Sequence, residues 1–268
     1  MIPKTTPFHD IIPQYDAFFI DIWGVVHDGT KPYPGVVTTL NNLISTKKVI
    51  FLSNAPRPAD VILVTLQKYG INATAEGILT SGDVVRDELI KAERGKKIYH
   101  IGSDNNPDIL RDMPIDIVDD VKDADLIVLS AFIDDSEQDD KFDDILQEAQ
   151  KLNIPLICAN PDTYVPHGAS IRRCSGIFAA RYEKMGGIVH HYGKPYDKIF
   201  EAAWIRSECK KDKILMIGDT SDTDILGAKN FGIDVAMTLT GNGAKSLQNL
   251  TVLERQYNVS PTWVIKGL

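Results

Sequence analysis

The sequence predicts an α/β protein: a parallel sheet covered by helices on both faces, with a second α/β series set inside the first. Three observations carry this. Short apolar runs alternate with stretches of helical periodicity, the pattern of a parallel sheet. Two of the runs, Ala17-Phe18-Phe19-Ile20 and Ile214-Leu215-Met216-Ile217, meet Gly and Asp at their ends, as buried strands emptying into loops do. Those runs lie far apart in the chain, yet both finish in acid: Asp21 after the first, and Asp219, Asp222 and Asp224 after the second. Ligands of open parallel sheets sit outside the carboxyl ends of the strands. Carboxylates gathered there repel one another unless a cation holds them, and a hard, oxygen-seeking ion such as Mg²⁺ suits that donor set.

The elements follow in order. After the strand 17–20, residues 34–46 read as a helix and Lys48-Val49-Ile50-Phe51-Leu52 as a second strand. A helix over 59–69 is stopped by Gly70, and Ile78-Leu79-Thr80 makes a third short strand before a helix over 82–94. A second series then begins, with strands at 98–101, 125–130 and 154–159. Between the last two lies an amphipathic helix with Phe142, Ile145, Leu146, Ala149 and Leu152 on one stripe. The acidic run 134–144 reads as its solvated face and start. From Tyr192 the first pattern resumes: helix 197–208, strand 214–217, helix 223–231 ended by Gly232, strand 233–237 and a last strand at Trp263-Val264-Ile265. If the two acidic clusters share a site, both ends of the chain form one domain and the middle is an insert. Gly95-Lys96-Lys97 and Gly186-Gly187 have the composition of its hinges.

Composition narrows the function. In 268 residues the hydrophobic share of 43% supplies an ample core, and the net charge of −8 argues against a nucleic-acid partner, which needs a basic patch. No apolar run approaches the ~18 residues of a membrane span. The first seven residues lack the apolar core of a signal peptide. Cys158, Cys174 and Cys209 have no metal-ligand spacing and read as reduced, buried thiols, so the expected location is cytoplasmic.

Four pieces carry chemistry. Asp21, at a strand end before a glycine-containing turn, is placed either as a nucleophile that takes up a phosphoryl group or as a turn acid. Ser53-Asn54, directly after Phe51-Leu52, can donate hydrogen bonds to phosphate oxygens or cap a helix. Lys194, in Gly193-Lys194-Pro195, would screen an anionic nucleophile if it faced one. Asp219 with Asp224, in Gly218-Asp219-Thr220-Ser221-Asp222-Thr223-Asp224, is the strongest local signal, for which helix capping by acids is the alternative.

Acid, hydroxyl, lysine and acid pair, in this order and at these positions, resemble the haloacid dehalogenase superfamily of phosphohydrolases. Leu52-Ser53-Asn54, Cys158-Ala159-Asn160-Pro161-Asp162, Gly193-Lys194-Pro195 and the run from Gly218 to Ala228 are similar to its subclass IIA, the relatives of 4-nitrophenylphosphatase, pyridoxal phosphatase and phosphoglycolate phosphatase. The resemblance implies a Rossmann-like, doubly wound core of residues 1–95 and 187–268 and an inserted α/β cap of the C2 type at 96–186. It implies an Mg²⁺-dependent phosphatase in which Asp21 attacks phosphorus and forms an aspartyl-phosphate. Asp21, Asp219 and the backbone carbonyl of Trp23 would hold the metal with Asp224 in support, Ser53 and Asn54 would bind phosphoryl oxygens, and Lys194 would pin nucleophile and phosphate together. The implied partner is a small phosphorylated metabolite, with a homodimer through the cap. In the subclass a cap loop selects the leaving group; residues 160–167 match it, making Asn160 and Asp162 candidates for substrate contact or loop ordering. His167 and Tyr164 could add a hydrogen bond or a stacking face.

One position departs from the pattern. Family phosphatases carry a second Asp two residues after the nucleophile, as general acid and base; here it is Trp23. Indole neither protonates a leaving alkoxide nor activates water, and losing such a group forfeits roughly 10²–10⁴-fold in rate. The chain would then be a phosphatase that is slow or limited to good leaving groups, or a protein that binds a phosphorylated ligand without useful turnover. His27 or Asp28 could replace the acid, or belong to the turn. Dehalogenase-like chemistry would leave the acid pair without a purpose, and a response-regulator receiver would not carry the insert.

Overall fold

The computed structural model describes residues 3–102, 107–133, 140–167 and 170–268. In chain order the strands are β1 (Ala17–Ile20), β2 (Lys48–Ser53) and β3 (Ile78–Thr80), then β4 (Lys97–Ile101), β5 (Asp116–Val118), β6 (Leu126–Leu129), β7 (Leu156–Cys158), β8 (Tyr164–His167), β9 (Ser170–Arg173) and β10 (Val189–His191). The chain closes with β11 (Ile214–Gly218), β12 (Asp234–Thr238) and β13 (Trp263–Ile265). They belong to two compact α/β units. One comprises the chain through Ser53 with Ala59–Leu79 and Lys194–Leu268, and the other Asn54–Pro58 with Thr80–Gly193.

The first unit holds a six-stranded sheet in the order β13-β12-β11-β1-β2-β3. Its central strand, β1, pairs in parallel with β11 on one side and β2 on the other. Phe18, Ile20, Leu215 and Ile217 join one apolar cluster with Val36, Leu40 and Leu43 of the helix Val36–Thr46. Phe19 and Met216 point the other way and are also fully buried. A strand buried on both faces reads as an unbroken apolar run rather than an alternation, which is why 17–20 is so visible in the sequence. Truncating Phe19 to Ala in such a site costs about 3–5 kcal/mol.

The second unit holds a five-stranded sheet in the order β10-β7-β6-β4-β5, parallel throughout, and the antiparallel hairpin β8-β9. The helix Asp143–Lys151 buries Leu146 and Ala149 as expected, but Leu152 falls beyond its end and is exposed. The acidic stretch 134–139 lies outside the described residues. The sequence puts the change of domain at 95/96 and 186/187, whereas, apart from the short segment Asn54–Pro58, the chain changes unit at 79/80 and 193/194. The physical reason is packing. Val85 and Leu89 of the helix Ser81–Lys91 cluster with Ile98, Leu126, Val128 and Ile157, and β10 pairs with β7. The Gly186-Gly187 pair is the turn that brings the chain from the helix Ser175–Lys184 into β10.

Candidate active site

The order of strands builds the site. From β1 the chain moves to β2 on one side, while β11 occupies the other, so the carboxyl ends of β1 and β11 flank the point where the winding reverses. Such a switch point opens a crevice in doubly wound sheets. Asp21 follows β1, Asp219 follows β11, and Ser53 ends β2. The sequence-predicted acids therefore meet: oxygens of Asp21, Asp219 and Asp224 lie within 4.8 Å of one another, and all three residues are buried. No helix among the described residues is long and apolar enough to cross a membrane.

Lys194 enters the same cluster and is 2% exposed. Its Nζ lies 2.5 Å from Asp21 Oδ1 and 2.7 Å from Asp224 Oδ1, and donates to the Leu52 carbonyl at 3.1 Å. An ammonium has three donors. Here they face two carboxylates and the end of β2. Burial favours the neutral amine, but Asp21 and Asp224 outweigh it and hold the ammonium above the ordinary lysine range.

The acids are not balanced by that one cation. Burial, followed by repulsion from Asp224 and Asp219, pushes Asp21 well above the usual carboxylate range although Lys194 pulls it down. Asp219 is pushed up to about 7, by burial first and then by the Asp224 charge, against hydrogen bonds from Asn242 and Thr220. With all three carboxylates ionised, one ammonium leaves this all-oxygen cluster two charges short of neutrality. That fits a hard divalent cation.

Local backbone explains the placement of Asp224. A helix from Thr223 is expected; instead a π-turn spans Ser221–Ile225 and the α-helix begins at Leu226. Asp224 Oδ2 accepts from the amides of Asp219 and Thr220, each at 3.1 Å. Satisfying those amides from position 224 requires one wide turn, which is the kind of local bulge found at functional sites.

Trp23 lies two residues past Asp21, half-buried. The Gly24 amide donates to the His27 carbonyl at 2.9 Å. A trans peptide is planar, so the Trp23 carbonyl points the opposite way, out of the 23–27 turn. The indole packs edge-on to the His27 ring at 5.2 Å, and Gly29 has no room for a side chain because a Cβ there would lie 2.6 Å from the indole. His27 is buried against Tyr69 as well, accepts the Gly29 amide at Nδ1, and is kept neutral because burial lowers its pKa. Asp28 accepts from Thr30 and Lys31, and these bonds hold it down at about 2. An acid that ionised has no proton to donate at neutral pH. Both residues build the turn.

Of the cap-loop candidates, Asn160 is 2% exposed and its Oδ1 accepts the Asp162 amide at 3.0 Å. Asn54 groups with this second unit, where its Nδ2 donates to Asp162 Oδ1 at 2.8 Å. These bonds order the loop. Tyr164 opens and His167 ends the strand β8, so neither lies in a free loop. Sequence reasoning missed the loop after β12, where the Asn242 amide donates to Asp219 Oδ2 at 2.6 Å; its only signal was a polar Thr-Gly-Asn-Gly turn.

Family models described as haloacid dehalogenase-like hydrolase and HAD-hydrolase-like match residues 18–116 and 191–268. The chain belongs to the haloacid dehalogenase superfamily. It is similar to a solved haloacid dehalogenase-like hydrolase from Brucella suis, at 29% identity over 100% of both chains with a TM-score of 0.84. A possible sugar phosphatase of the superfamily from Cytophaga hutchinsonii is 25% identical over 98% of each chain, with a TM-score of 0.83. The 4-nitrophenylphosphatase of Schizosaccharomyces pombe is 25% identical over 97% of this chain and 94% of its own.

Proposed function

We propose that this superfamily member is an Mg²⁺-dependent phosphatase of small phosphomonoesters, acting through an aspartyl-phosphate on Asp21. One observation carries the reading: the buried Asp21–Asp219–Asp224 cluster with Lys194 inside it, at the switch point of the sheet. Asp21, Asp219 and the Trp23 carbonyl, with Asp224 in support, hold the ion, which when bound supplies charge neutralisation at the phosphoryl oxygens. Asp21 attacks phosphorus, Lys194 favours the ionised form of that carboxylate and orients it, and Ser53 donates to the phosphoryl group. Positioning and electrostatics do most of the work in such transfers.

Trp23 sets the limit. With indole where an acid would stand, and with His27 and Asp28 occupied by the turn, none of these three side chains donates a proton to the departing oxygen. The substrates are then esters and anhydrides whose leaving groups depart unprotonated, such as phenolic and acyl phosphates. In this reading Asn160 and Asp162 serve substrate selection by ordering the cap loop. The same position also supports a second reading, a protein that binds a phosphorylated ligand without turning it over.

Without a general base, water attacks the aspartyl-phosphate slowly, so the intermediate should accumulate. The test is acid-quenched peptide mass analysis after brief exposure to acetyl phosphate and Mg²⁺. A phosphoryl adduct on the peptide carrying Asp21 is expected. Rapid hydrolysis with an adduct on another residue would overturn the assignment of the nucleophile, and ligand binding with neither adduct nor hydrolysis would favour the second reading.

A further inference from the structure

The loop that follows β12 touches the metal-binding turn and the acid of β11 at the same time. Thr240 Oγ1 donates to the Gly24 carbonyl at 2.6 Å, and it lies 2.9 Å from Thr238 Oγ1. A hydroxyl has a single proton. With that of Thr240 given to Gly24, Thr238 must be the donor in the second bond, which makes a directed chain from β12 to the turn after β1. Two residues on, the Asn242 amide donates to Asp219 Oδ2 at 2.6 Å. Between these anchors Gly241 has φ +55°, its amide donates to the Tyr33 hydroxyl at 3.1 Å, and a Cβ there would fall 2.1 Å from Asp219 Oδ2 and 2.4 Å from Gly24 Cα.

Gly24 is itself constrained. Its φ is +91°, and a Cβ would lie 2.0 Å from Asp219 Oδ2. The backbone of the 23–24 turn, the Asp219 carboxylate and the backbone of Gly241 are therefore in mutual contact, and each glycine is needed where it stands.

We propose that residues 238–242 position the metal centre: Thr240 fixes the turn that presents the Trp23 carbonyl, and the Asn242 amide fixes the Asp219 carboxylate facing it. Thr240 and Asn242 are positioning residues that touch neither ion nor substrate. Their contribution is the geometry of two ligands on neighbouring strands, held by a third element. This deepens the function proposed above and rests on its metal site.

The test is calorimetric titration of the whole chain with Mg²⁺, for wild type, Thr240→Val and Thr240→Ser, beside thermal unfolding of each in EDTA. Losing one good hydrogen bond at the turn should weaken Mg²⁺ about tenfold in Thr240→Val. Thr240→Ser, which keeps the hydroxyl, should bind as wild type does, and raising Mg²⁺ should restore Thr240→Val activity. The two variants should melt within a few degrees of wild type in EDTA. Mg²⁺ affinity unchanged in Thr240→Val, or lowered equally in Thr240→Ser, would overturn the proposal while leaving the metal site standing. A wild-type chain that binds no Mg²⁺ would overturn both.

Discussion

Asp219 should make the metal-free protein less stable as pH rises, and Asp219→Asn should reverse that. The buried carboxyl has its pKa pushed up to about 7 from an ordinary 3.8. Below 3.8 the group is protonated in folded and unfolded chains alike, and pH has no leverage through it. Between 3.8 and about 7 the folded state holds a proton that the unfolded state has lost, so stability falls with pH across that window. About 3 pH units at 1.36 kcal/mol each come to roughly 4 kcal/mol, complete by pH 8. Asp21, raised for related reasons, changes stability in the same direction. In a chain of this size that is a shift in unfolding temperature on the order of 10 °C. Asn carries no charge, and its oxygen can still accept the Asn242 amide. In EDTA at pH 8, Asp219→Asn should therefore melt above wild type, and at pH 4 the two should nearly coincide. Mg²⁺ should raise wild type at pH 8 far more than at pH 5, and raise the variant little at either. The assay is calorimetric or fluorescence-monitored unfolding across pH, with EDTA and with Mg²⁺. A variant that melts below wild type in EDTA at pH 8 would refute the reasoning, as would wild-type stability that does not decline from pH 4 to 7.

In single-turnover assays Trp23→Asp should speed phosphoryl transfer from alkyl phosphates to Asp21 by roughly 10²-fold or more while changing transfer from phenolic phosphates much less, because only poor leaving groups need the proton; an equal effect on that step for both classes would count against the role assigned to this position. Lys194→Met removes the ammonium that pairs with the buried Asp21 and Asp224 and should lower stability in EDTA at pH 8 by ~3–5 kcal/mol, read by denaturant unfolding, and the loss should shrink as the medium is acidified. Gly24→Ala, with φ at +91° and its new Cβ 2.0 Å from Asp219 Oδ2, should cost ~2 kcal/mol or more and weaken Mg²⁺ binding by calorimetry; wild-type affinity in that variant would contradict the contact geometry.

The core strands were legible because burial on both faces leaves an unbroken apolar run, and the acids were legible because they stand where those runs stop. The meeting of Asp21 with Asp219 and Asp224 could be anticipated from strand ends alone. What escaped has physical reasons. Val85 and Leu89 form an ordinary amphipathic stripe, and nothing local tells which sheet such a stripe will cover, so the glycines at 95 and 186 drew the boundaries. The hairpin β8-β9 carries Pro166 within a strand, which demotes a run on sequence. The π-turn at Ser221–Ile225 depends on Asp224 capturing the amides of Asp219 and Thr220, a tertiary choice that the helical pattern does not reveal. Thr240 and Asn242 sit in a polar turn, and turn residues look alike whether they clamp a site or only reverse the chain.

The most direct test of the central claim is hydrolysis of 4-nitrophenyl phosphate and acetyl phosphate, with Mg²⁺ and with EDTA, beside Asp21→Asn. The account predicts hydrolysis of both by wild type in Mg²⁺ and none above background with EDTA or in the variant. A folded, Mg²⁺-binding wild type that hydrolyses neither compound faster than Asp21→Asn would contradict it.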